Sequence, residues 1–176
     1  MRFALMLGLA AALVSSVAQA ADRKIDDFAG RWIGTGQATQ GMVNPTPTQS
    51  RDSEVVIEKA PGGFRISWTT MSSALDDGSK AKVKATSLAF RASKKPGVFV
   101  DAKSGDALQG KKTTWARISG DTLIINQLVV ADNGEWDVTV YERTLKDANA
   151  MNLSFTRITN GTIARQARLE MVRSKD

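Results

Sequence analysis

Neither cysteine nor histidine occurs anywhere in the 176 residues. Without cysteine there is no disulfide scaffold and no thiolate zinc site. Without histidine there is no Ser-His-Asp or Cys-His dyad, and no imidazole ligand for haem. Proline is sparse, at four residues, and there is one tyrosine. Lys and Arg number 24 against 18 Asp and Glu, a net charge of +6 scattered along the chain. Asp76-Asp77-Gly78 and Asp132-Asn133-Gly134 look like fragments of calcium loops. Neither completes the ligand spacing, so both read as turns. The sequence calls for no cofactor and no metal. Nucleic acid is excluded as a partner because no aromatic residues interleave with the lysines.

A long apolar run is also missing, apart from one at the N-terminus. Met1-Arg2-Phe3 is a short basic start, and Ala4 to Val14 is apolar throughout. Small residues follow at Ala18 and Ala20. That order is a secretory signal peptide cleaved after Ala20, and the run is shorter than the ~20 residues a membrane span needs. The chain thus divides into a leader at 1–20 and one domain at 21–176, with the periplasm as its expected compartment. The exported part has net charge +5, since Arg2 leaves with the leader.

The remainder alternates with period two, broken by Gly, Asn, Asp and Pro. Phe64, Ile66 and Trp68 alternate with Arg65, Ser67 and Thr69. Asn160-Gly161, Pro61-Gly62-Gly63 and Pro96-Gly97 mark turns between such runs. Asn-Gly is a strong hairpin signal, because a type I′ turn needs two residues at positive φ. About ten strands follow one another through short connections, so sequential neighbours must be antiparallel. Closing them on themselves removes two long exposed edges. The expected fold is all-β: one up-and-down antiparallel barrel of about 8–10 strands. Only Ile25 to Phe28 could form a helical turn. An even strand count brings the end of the last strand beside the start of the first, placing Arg173 over Trp32.

Phe28, Gly30 and Trp32 form F-x-G-x-W just before the first strand, and Arg173 closes the last. This resembles the calycin superfamily of lipocalins, fatty-acid-binding proteins and relatives. The resemblance implies that Gly30, Trp32 and Arg173 close one barrel end. Trp32, Gly34 and Gly36 also look like the opening of nitrobindin-type haem barrels, but the histidine ligand of that group is absent here. The resemblance further implies a flap over one mouth, at Gln40 to Arg51.

Candidate ligand contacts come from strand parity. Arg165 shares a face with Ala167, Leu169 and Met171, the more apolar face of the last strand. An arginine there suits an anion, and a carboxylate fits its fork. Trp68, Trp115 and Trp136 are read as core or interior lining. Tyr141 and Arg143 lie opposite Trp136, Val138 and Val140, and are read as outward. Lys80, Lys82 and Lys84 alternate on one strand face, read as solvated or as facing an anionic envelope surface.

Two functions stay open. One is a non-catalytic periplasmic binding protein for a small apolar or amphipathic ligand, such as a lipid or fatty acid, acidic if Arg165 is engaged. The other is a filled barrel acting as a structural or protein-interaction module of the envelope. A ligand site needs a cavity of roughly 300 Å³ or more. Oligomeric state is not encoded in any motif.

Overall fold

The computed structural model describes residues 23–41, 47–74 and 81–175. The leader read at 1–20 lies outside them, as do Asp76, Asp77, Gly78 and Lys80. A one-turn helix, α1 (Ile25–Phe28), leads into β1 (Gly30–Gln40). The meander continues through β2 (Pro47–Ala60), β3 (Gly63–Ala74), β4 (Lys82–Ala92) and β5 (Val98–Asp101). After a 3₁₀ turn at Ala107–Gln109 come β6 (Thr113–Ser119), β7 (Thr122–Val130), β8 (Trp136–Leu145), β9 (Ala150–Thr159) and β10 (Thr162–Arg173). Each strand pairs with its sequence neighbours, and β10 returns to β1 to close the barrel. The closing ladder runs antiparallel from Trp32↔Arg173 to Gln40↔Arg165.

The turn chemistry explains the short connections. Asn160 (φ 49°) and Gly161 (φ 82°) both sit in the left-handed region, as a type I′ hairpin requires. Half of the flap expected at Gln40 to Arg51 is strand, namely Gln40 and 47–51. β2 already begins at Pro47 and pairs with Thr39 of β1, with a register shift at Ala38/Thr39. Only 41–46 connect the two strands, and 42–46 lie outside the described residues.

One half of the barrel is filled. Phe28, Trp32, Ile57, Phe64, Ile66, Leu123, Ile125, Met151 and Met171 are all buried there. Phe64 stacks on Phe90 at 4.8 Å between centroids and meets Phe99 edge-on at 5.1 Å. This is the end bearing α1, and Arg173 lies over Trp32 with Cζ 4.2 Å from the ring centroid. The 40–47 connection emerges at the opposite mouth.

The closing strand tolerates no side chain at Gly36. A Cβ there would stand 1.9 Å from the Arg168 carbonyl oxygen and 2.7 Å from the Leu169 Cα. Backbone must then move, because neither atom belongs to a flexible side chain. Gly36→Ala is expected to cost about 1–3 kcal/mol, the range for an overpacked core. Urea unfolding checks this, and an unchanged midpoint would show that the β1–β10 ladder relaxes freely.

Candidate functional site

Inner-face residues change character halfway along the barrel. On β2 the inward series runs Ile57, Val55, Ser53, Arg51, Gln49 toward the mouth, and on β3 it runs Ile66, Trp68, Thr70, Ser72. On β8 it runs Leu145, Arg143, Tyr141, Thr139, Asp137. The apolar half thus gives way to polar and cationic walls, which enclose a cavity of about 680 Å³.

Three arginines carry the site. Arg143 is fully buried, at 0% exposure, and among the described residues none of its three guanidinium nitrogens has a hydrogen-bond partner. Its Cζ lies 5.2 Å from the Trp68 ring centroid and 5.7 Å from that of Tyr141. Burial pushes its pKa down to about 10, so it stays charged at neutral pH. Arg51 and Arg165 each bury an Nε without a partner, while Nη2 of Arg165 donates to Gln49 Oε1. Burial lowers the pKa of Arg51, and the charge of Arg165 lowers it further.

Among the described residues the wall offers these cations no free carboxylate. Asp137 accepts from Arg157 Nη2 at 2.6 Å and Nε at 3.1 Å, and from Thr159 Oγ1. Those bonds hold the Asp137 carboxyl below its usual range and leave it engaged. Lys82, Lys84 and Lys112 complete the wall near the rim. Among the described residues the wall therefore holds seven cations and one carboxylate. Arg51, Arg143 and Arg165 lie inside, whereas Lys82, Lys84, Lys112 and Arg157 are exposed.

Rings form the apolar side of the cavity. Trp68 meets Tyr141 at 5.0 Å, and Tyr141 meets Phe155 at 5.2 Å. Tyr141 is the single tyrosine of the chain, and burial raises its pKa despite Arg143 and Arg51 nearby.

The sequence-predicted residues divide. Arg165, Trp68 and Leu169 line the cavity. Met171 faces inward but packs in the core, 1% exposed. Trp136 does not line the interior: it starts β8 on the outer face, 37% exposed. Trp115 is also turned outward, since Thr114, Ala116 and Ile118 are the buried residues of β6. Tyr141 and Arg143, read as outward, face in. The reason is Leu145, which lies on the same strand face and pairs with buried Met151. Lys82 and Lys84 face the cavity mouth instead of covering an outer wall, because they share parity with buried Phe90.

A wider, open trough of about 1310 Å³ runs over the outer wall, lined by Thr35, Gln37, Asp52, Glu142 and Glu170 among others. Among the described residues, every buried side-chain nitrogen without a partner belongs to Arg51, Arg143 or Arg165, so the interior is the candidate site.

No family model matches the chain, and no curated protein sequence matches it. Solved structures do. The S-type phycobiliprotein lyase CPES from Guillardia theta is 9% identical over 86% of this chain and 91% of that one, with a TM-score of 0.49. Rv2717c from M. tuberculosis is 15% identical over 86% and 95%, also at 0.49. A redesigned β barrel, mFAP1, bound to DFHBI, is 9% identical over 85% and 97%, at 0.37. The expectation that the protein is not an enzyme is withdrawn. A phycobiliprotein lyase is among the structures similar to this barrel. At these identities the likeness is one of fold: a closed, antiparallel, up-and-down β-barrel.

Proposed function

We propose that the barrel binds a small acidic amphipathic molecule in its interior. The single observation behind this reading is Arg143: a guanidinium at 0% exposure with no hydrogen-bond partner among the described residues. Burying a charge without a partner costs several kcal/mol. Two ring faces recover only ~0.5–2 kcal/mol each. A carboxylate or similar anion would supply the missing bonds, at roughly 1.5–3 kcal/mol for each charged one. The rings of Trp68, Tyr141 and Phe155 suit the apolar body of such a ligand. Lys82, Lys84 and Lys112 at the rim would raise the local concentration of anions. The cavity volume favours this reading over a filled structural barrel. A lipid-derived acid fits the same chemistry, and the leader motif supports a periplasmic location.

One measurement tests both parts. Native mass spectrometry of protein from its own cell envelope is expected to show the 156-residue chain from Ala21 carrying one small anionic molecule. A chain that retains Met1 would overturn the location. An empty chain that also fails to take up added decanoate would overturn the binding reading.

A further inference from the structure

The arginines that bury nitrogens without a partner among the described residues sit at two levels of the cavity. Arg143 pairs across the sheet with Leu153, and Leu153 pairs with Leu169 on β10. Arg165 lies four residues nearer the mouth on that same strand, a rise of ~13 Å at ~3.3 Å per residue. Arg51 stands in the Leu169 row, through Gly36, while its inner-face neighbour Gln49 accepts a hydrogen bond from Arg165 Nη2, so Arg51 lies between the two levels. At that rise one carboxylate cannot bond Arg143 and Arg165 at once. On β10 the stretch between them is apolar, with Ala167 between Ala38 on one side and Phe155 on the other. Phe155 continues the ring series through Tyr141 to Trp68.

We propose that the cavity is built for an organic dianion with its two acid groups separated by an apolar spacer. One group meets Arg143 at the floor; the other meets Arg165 below the mouth, with Arg51 between the two levels. The spacer lies along Phe155, Tyr141 and Trp68. This deepens the binding reading above and rests on it. The count of positive groups supports it, because one carboxylate would leave one level of the cavity without a counter-charge. Asp137 cannot help, being held by Arg157 and Thr159.

The test is isothermal titration of decanoate, decanedioate and inorganic phosphate into the wild-type protein. Decanedioate is expected to bind at least about tenfold tighter than decanoate, the return from one further charge-assisted hydrogen bond. In Arg165→Met that ratio is expected to fall below about threefold. The wild-type comparison needs no variant, so a poorly folding Arg165→Met would not spoil the test. Equal affinities for the two acids would overturn the dianion proposal and leave the single-acid reading standing. Binding of neither would overturn both. Phosphate binding as tight as that of decanedioate would also overturn the proposal, since a compact polyvalent ion has no spacer.

Discussion

Arg143→Met is expected to make the protein more stable and to remove its affinity for acidic ligands. The guanidinium is fully buried, and among the described residues none forms a hydrogen bond with its nitrogens. Its compensation is the two ring contacts at 5.2 and 5.7 Å. Replacing buried charged groups by apolar ones of similar size often gains ~1–4 kcal/mol. Methionine keeps much of the volume and packs well against Trp68 and Tyr141. A net gain of about 1–3 kcal/mol corresponds to a Tm rise of ~2–12 °C for a domain of this size. Loss of the floor contact should weaken decanoate by at least about tenfold. The pH dependence carries a second signature. Burial depresses the folded-state pKa to about 10, below the ordinary guanidinium value. The unfolded chain then binds more protons as pH rises above 10, so wild-type stability gains with pH there. Arg143→Met lacks that gain, and the two proteins should converge. Calorimetry across pH 7 to about 11 checks both effects. A variant less stable than wild type at neutral pH would show that the rings compensate the charge in full.

The fold was legible because alternation and turn residues are local. β7 runs Thr122–Val130, the span that Ser119-Gly120-Asp121 and Asp132-Asn133-Gly134 bracket. The contact between Trp32 and Arg173 followed from an even strand count alone. Site parity was less legible, and β8 shows why. Read only as far as Val140, the strand offers Trp136, Val138 and Val140 as its apolar face. Carried on to Leu145, it pairs with Met151, and cross-strand partners share a face. Leu145 then turns Tyr141 and Arg143 inward. Local hydropathy argued against this result, because the interior of this half is polar. Trp115 failed for a related reason: its partner strand contains Leu123, Ile124 and Ile125 in a row, which carries no alternation. Arg165 was found because Ala167, Leu169 and Met171 fix the inner face beyond doubt of parity. Arg51 sat in a segment read as a flap, so it had no face at all. The charge asymmetry of the wall needs all the strands in register, and no window of the sequence contains it.

Arg173→Ala is expected to destabilise the barrel without changing what it binds. Arg173 gathers three separate segments at the closed end. Its Nε donates to Ala148 O at 2.7 Å and Nη2 to Asp27 O at 2.9 Å, while Nη1 donates to Ala29 O. The guanidinium lies over Trp32, whose Nε1 donates to Phe28 O at 2.9 Å. Gly30 makes room, with φ at 124° and a would-be Cβ only 2.7 Å from Arg173 Nη1. The arginine therefore ties α1, the β8–β9 turn and the closing ladder together. Each charged bond would contribute ~1.5–3 kcal/mol if fully sheltered. The Ala148 and Asp27 contacts are exposed, and water can replace part of them. A total of about 2–4 kcal/mol is expected, or a Tm lower by ~4–16 °C. Lysine should rescue little, since one ammonium cannot reach three carbonyls in the plane of the fork. The filled half of the barrel separates this contact from the cavity, so decanoate affinity should match wild type. An unchanged Tm would mean that the β1–β10 ladder closes the barrel unaided. A lost affinity in a folded protein would mean that the closed end sets the position of Leu169 and Met171, and through them the cavity floor.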